Sequence, residues 1–222
     1  NHPITQSPNR PIAQSPPFPM TTLYLIRHGI AQDAEGRALG WTDQPLAAEG
    51  RARIEALAAT WSGPPPNRCW VSDLRRTRET AAILATRWPT IIEPEPRLRE
   101  MHFGEWDGRA WAELEAADGA RLAAWMADWT TARTPGGEGW PDLLARVESW
   151  CVELRAAVGR GTGPLVVVAH AGSLRAILGV LLDLPPVALF KLRVERGAVT
   201  ELSLTGRGAE VVSLNLQEWP IA

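Results

Sequence analysis

Leu165-Val166-Val167-Val168-Ala169-His170-Ala171-Gly172 reads as five apolar residues running straight into a histidine and two small residues. A strand with no polar alternate is buried on both faces, as the central strands of parallel sheets are. A helix from about Ser173 to Leu182 follows it. Working outward, Thr22–Arg27 (TLYLIR) is a second short buried strand, and it too ends in a histidine, His28, followed by Gly29. Between them, Ala48–Trp61 places Ile54, Leu57, Ala58 and Trp61 at helical spacing. Arg68–Ser72 reads as a strand, with Ser72 the natural cap of a helix from Asp73 to about Trp88. Thr90–Glu93 is a third strand. This alternation predicts an α/β fold: a three-layer α/β/α sandwich with a mostly parallel central sheet and right-handed crossovers.

The stretch from about 108 to 158 is helical, with apolar stripes at Trp111 and Leu114, at Leu122, Trp125, Met126 and Trp129, and from Leu143 to Val158. It is a helical insertion, broken by a loop holding Pro135, Gly136, Gly137 and Gly139. Two β segments, 188–195 and 198–204, and a last strand near 210–216 complete one domain over 21–219. Residues 1–20 form a proline-rich tail that repeats with a period of eight, Pro3-Ile4-Thr5-Gln6-Ser7-Pro8 and then Pro11-Ile12-Ala13-Gln14-Ser15-Pro16. Such a segment has no periodic apolar face and is expected to be disordered.

The 222 residues are 45% hydrophobic and 22% charged, which excludes wholesale disorder. The net charge of −2 argues against a nucleic-acid partner, and of the 23 basic residues only Lys191 is lysine. No apolar run approaches the ~18 residues a membrane span needs. Cys69 and Cys151 are too few for a disulfide framework and too far apart for a metal knuckle, so the cytoplasm is the expected compartment. The 11 Trp read as core and interface filler, since no basic stripe interleaves with them.

In an open α/β sheet, ligands bind beyond the carboxyl ends of the strands. His28 and His170 are therefore expected on one rim. Arg76 arrives there at the start of the helix after the second strand, and Arg27 closes the first. A helix N-terminus at Ala171 and Gly172 offers free N–H groups to an anion. Together these groups predict a site for one phosphoryl group. Arg75 and Glu79, four residues apart, read as a surface ion pair, and Asp43 as a turn former.

Five segments in order carry a resemblance. Leu25-Ile26-Arg27-His28-Gly29 resembles the RHG signature of the histidine phosphatase superfamily, which includes phosphoglycerate mutases. Gly40-Trp41-Thr42-Asp43-Gln44-Pro45-Leu46 with Gly50, and the run from Ser72 to Ala81, are similar to two further family segments. So are Leu98–Gly108 and Val167–Gly172 with Leu174-Arg175. The resemblance implies that His28 is the nucleophile that becomes phosphohistidine and that Arg27 and Arg76 hold the phosphoryl oxygens. It implies that His170 donates a hydrogen bond to the same group, that Ala171 and Gly172 contribute backbone contacts, and that Glu100 is the general acid. Gln32, Gly40 and His102 are candidate substrate contacts. No metal and no cofactor are implied, and the expected partner is a small phosphorylated substrate, with a homodimer compatible with the sequence.

Departures from the family pattern bear on the substrate. A Glu-Thr pair often follows RHG, with an Asn some five residues beyond the Gly; here those places hold Ile30, Ala31 and Ala34. Ala47 stands where a Ser or Thr usually caps the next helix. The acid loop looks like that of α-ribazole phosphatase and its broad-specificity relatives. Glu100 and His170 are 70 positions apart, a shorter insertion than dedicated cofactor-dependent mutases carry. The reading is a phosphomonoester hydrolase. The alternatives are a cofactor-dependent phosphoglycerate mutase and a non-catalytic phospholigand-binding protein; a metallohydrolase lacks a third ligand at recognisable spacing.

Overall fold

The computed structural model describes residues 20–219 apart from 89, 159–162 and 206–207; the tail expectation falls on 1–19, outside the described residues. Six strands form one sheet: β1 (Thr21–Arg27), β2 (Arg68–Val71), β3 (Ile92–Pro94), β4 (Leu165–Ala169), β5 (Val199–Thr205) and β6 (Gly208–Leu216). Their order is β3-β2-β4-β1-β5-β6. The first four of that order pair in parallel, and β5 and β6 add antiparallel at the end. The helices are α1 (Ala48–Ala59), α2 (Arg75–Leu84), α3 (Trp111–Ala127), α4 (Trp140–Val158), α5 (Ala171–Leu182) and α6 (Pro186–Leu189). The expected α/β architecture with a mostly parallel sheet is therefore present.

β4 explains the layering. All five of its residues are fully buried. Leu165, Val167 and Ala169 pack into one cluster with Leu143, Val147 and Trp150 of α4 and Ile177 of α5. Val166 and Val168 pack on the other face with Ile54 and Leu57 of α1 and Leu84 of α2. Alternate side chains of a strand face opposite ways, so a strand between two helical layers must be apolar throughout. Trp70, Trp88, Trp106 and Trp150 are fully buried, the filler role expected of tryptophan. Both cysteines are free and buried. No helix among the described residues is long and apolar enough to cross a membrane.

Three boundaries differ from the sequence reading. The helix expected from Asp73 starts at Arg75 and ends at Leu84, and Ser72 does not cap it. The Ser72 hydroxyl is instead bonded to His170 Nε2 at 2.8 Å, and the Asp73 carboxylate is held by Arg99. The first-turn N–H of Arg75 is satisfied by Asp43 from a distant loop. The segment 188–195 is not a strand. Pro186 opens the short helix α6, because a proline suits the first helical position, and the chain turns through Lys191. The third strand lies slightly later than expected, at Ile92–Pro94. Ala47 gives α1 no side-chain cap, as its sequence implies, and Arg75–Glu79 is an ion pair at 2.7 Å.

Candidate active site

Parallel pairing of β1 with β4 puts Arg27 beside Ala169, so the chain leaves both strands at one level. His28 N–H then donates to the Ala169 carbonyl at 3.1 Å, and the two imidazoles lie 5.0 Å apart, centroid to centroid. Gly29 follows under constraint, since a Cβ there would sit 2.8 Å from the Gly50 carbonyl oxygen. His28 Nδ1 meets the Gly29 carbonyl at 2.6 Å. A carbonyl only accepts, so Nδ1 carries the proton and Nε2 keeps its lone pair.

Burial holds the His28 imidazole well below the usual histidine range, and the charges of Arg76 and Arg27 push the same way. His170 is lowered for the same reasons, burial first and then Arg76. Both rings are neutral near neutral pH. Burial lowers Arg27 and Arg76 to about 10, which leaves both charged.

Arg76 is fully buried and held on three sides. Its Nη1 and Nη2 donate to the carbonyls of Thr42 (2.9 Å) and Gly40 (2.6 Å), and its Nε donates to His170 Nδ1 (3.3 Å). His170 Nδ1 is therefore an acceptor, and its Nε2–H is directed at Ser72. Each ring nitrogen of His170 thus has a partner within the protein, and the ring orients Arg76. Arg27 donates from Nη1 to the Val194 carbonyl at 2.7 Å, while its buried Nε has no partner among the described residues.

The Glu100 carboxylate is seated on backbone. Gly172 N–H lies 3.1 Å from each of its oxygens, and Met101 N–H 2.9 Å from Oε1. The Gly172 N–H, expected to face phosphate, is here directed at Glu100. A Cβ on Gly172 would fall 2.1 Å from Glu100 Oε1. Ala171 lies beside it at the start of α5 and lines the adjoining cavity.

The candidate substrate contacts divide. Gly40 acts through its backbone, with its carbonyl on Arg76 and its N–H on Asp107 at 3.2 Å. The His102 ring leans on Trp41 at 4.6 Å. Gln32 is exposed, its backbone N–H held by the Pro45 carbonyl.

Two positioning residues escaped the sequence reading. The Asp107 carboxylate accepts from the N–H groups of Gly40, Trp41 and Thr42 and from the Thr42 hydroxyl, fixing the loop whose carbonyls hold Arg76. Arg146 of α4 donates to the carbonyls of Arg97, Arg99 and Glu100, each at 2.7 Å, and pairs with Glu138. Asp107 stood inside a quoted motif; Arg146 stood in a helix read only for its apolar stripe. A cavity of about 370 Å³ adjoins Glu100, Ala171 and Gly172, walled by Phe103, Trp125, Trp129, Trp140 and Phe190. Among the described residues no group of three or more His, Cys, Asp or Glu is arranged to hold a metal ion.

The chain belongs to the histidine phosphatase superfamily, branch 1, whose pattern it matches over residues 23–217. It is 30% identical over 194 residues to adenosylcobalamin/α-ribazole phosphatase of Salmonella typhimurium, covering 87% of this chain and 95% of that one. It is 37% identical over 171 residues to glucosyl-3-phosphoglycerate phosphatase of Mycobacterium tuberculosis, covering 73% and 76%. Among solved structures, the α-ribazole phosphatase of Shigella flexneri superposes with a TM-score of 0.84 at 26% identity, covering 91% of this chain and all of that one. The mycobacterial glucosyl-3-phosphoglycerate phosphatase superposes at 0.76 and 31% identity, covering 89% and 99%.

Gly172→Ala should leave the fold intact, because alanine favours a helix over glycine and the atoms that must give are side-chain ends: the Glu100 carboxylate and, by a few tenths of an ångström, Leu143 Cδ2 at 3.1 Å. Displacing that carboxylate should lower turnover of an alkyl phosphate by about 10²-fold. Melting curves and steady-state rates check this; unchanged turnover would show that the seat of Glu100 is irrelevant.

The buried histidines also set a pH dependence of stability. An unfolded imidazole takes a proton near pH 6.5 and these two only well below it, so the unfolded chain binds more protons in between. Stability is full above about pH 6.5 and is lost as the pH falls beneath it, by up to about 1.4 kcal/mol per pH unit for each ring. Urea midpoints between about pH 8 and 5 should fall on the acid side; a flat profile contradicts the neutral pair.

Proposed function

We propose that this protein hydrolyses phosphate monoesters of small metabolites through a phosphohistidine formed on His28. The observation that carries the reading is the tautomer lock: Nδ1 is bound to the Gly29 carbonyl, which leaves Nε2 as a neutral nucleophile beside two fixed arginines. The likeness to two kinds of phosphatase supports it.

His28 Nε2 attacks phosphorus, and the bond to the ester oxygen breaks. Arg27 and Arg76 stabilise the charge on the phosphoryl oxygens. Arg76 is pre-aimed by His170, Gly40 and Thr42, so it need not reorganise as that charge develops. Glu100 delivers its proton to the departing alkoxide. Among the described residues its Oε2 accepts only from the Gly172 N–H it shares with Oε1, and it is the oxygen we assign to carry that proton. Water then attacks the phosphohistidine, with Glu100 taking the water's proton, and inorganic phosphate leaves as His28 is restored. The two arginines supply the positive charge that a metal ion would otherwise bring.

Glu100→Gln keeps the shape and removes the proton. The first step should slow by about 10²–10⁴-fold for an alkyl phosphate, whose alkoxide is strongly basic. It should slow far less for p-nitrophenyl phosphate, whose phenolate leaves unaided. Burst kinetics with both substrates, run in EDTA, read this step directly. Equal slowing for both would remove Glu100 from the acid role. Turnover that needs an added divalent ion would contradict the metal-free reading.

A further inference from the structure

The cavity beside Glu100 has a chemistry of its own, and it bears on what the phosphate is attached to. Glu100, Ala171 and Gly172 form the wall that the cavity shares with the phosphoryl site. Resting on the role given to Glu100 above, the ester oxygen must lie against that carboxylate, so the alcohol beyond it extends into the cavity.

The other walls are aromatic. Trp129, Trp140 and Phe190 form a corner, with Trp129 and Phe190 4.1 Å apart, Trp140 and Phe190 5.6 Å, and Trp129 and Trp140 5.9 Å, centroid to centroid. Phe190 is 48% exposed and Met126, on the same lining, 63%. Large apolar side chains left open around a cavity mark a surface that a ligand covers. The charged groups on the lining each have a partner, although the Nε of Arg175, itself buried, has none among the described residues. Arg175 donates to the Leu192 carbonyl at 3.1 Å and lies over the Phe190 ring at 4.9 Å, and Glu100 is held by backbone. A polyol placed here would turn its hydroxyls toward indole and benzene faces and lose their hydrogen bonds to water. A flat apolar ring would find edge and face partners. The volume of about 370 Å³ lies at the small end of ligand pockets, enough for one or two fused rings.

We propose that the alcohol half of the substrate carries an aromatic or other flat apolar ring system, recognised by Trp129, Trp140 and Phe190. Sugar phosphates and phosphoglycerates are then poor substrates of this chain.

The test holds the leaving group constant. Ethyl phosphate and 2-(1-naphthyl)ethyl phosphate release alcohols of similar basicity, so their rates differ through the cavity and not through the chemistry. The naphthyl ester should show a kcat/KM about 100-fold higher, the scale that several apolar groups in a fitted pocket support. Phe190→Ala and Trp129→Ala should each cut that ratio about tenfold. A ratio within one sample is independent of the fraction folded, and the exposure of Phe190 makes its replacement benign. A wild-type ratio near one, a ratio unmoved by both variants, or a higher kcat/KM for 3-phosphoglycerate than for the naphthyl ester would each overturn the inference while leaving the phosphatase reading in place. Absence of turnover with every ester would overturn the phosphatase reading itself, and the inference with it.

Discussion

The site depends on the parallel ladder between β1 and β4. Because Arg27 pairs with Ala169, the first residue beyond each strand is a histidine at the same height, and the His28 N–H is tied back to the Ala169 carbonyl. A shift of one residue would turn every side chain of the strand to the opposite face. The ladder cannot slip in that way, since β4 divides its residues between two packed cores. The hydrophobic pattern of five residues thus sets the distance between two imidazoles.

Burial then decides the charge states. The site gathers Arg27 and Arg76 around two histidines that stay neutral, and the proposed function sets the charge of these arginines against a phosphoryl dianion. Burying a guanidinium is costly unless its donors are satisfied. Arg76 is satisfied by two carbonyls and a ring nitrogen, and the N–H groups of the two residues that supply those carbonyls donate in turn to Asp107. The acid loop is built by the same device: Arg146 gathers the carbonyls of Arg97, Arg99 and Glu100, and Gly172 leaves room for the carboxylate. Backbone groups, not side-chain pairs, do most of the aiming.

Much of this was legible in the sequence. The uniform apolar run of β4 announced a central strand, and two strands ending in histidine announced a shared rim. What escaped was whatever depends on backbone atoms or on contacts between distant segments. Ser72 looked like a helix cap because serine commonly is one, but its hydroxyl is engaged by His170, 98 positions away. That the Gly172 N–H at the start of α5 points at the Glu100 carboxylate, 72 positions away, is likewise a contact between distant segments. The aromatic cavity was invisible because Trp125, Trp129 and Trp140 sit at ordinary core spacing. Only the packing of α3, α4 and α6 shows that part of this stripe faces open space.

The central claim is that a neutral His28, locked through Nδ1, forms a bond to phosphorus. A rapid-quench single turnover with a ³²P-labelled ester, stopped in alkali and digested, tests it most directly. The account predicts base-stable, acid-labile label on the peptide containing His28, formed and lost at rates that match turnover and absent in His28→Ala. Label on the His170 peptide or on a carboxylate, or full turnover with no label at any time, would contradict it.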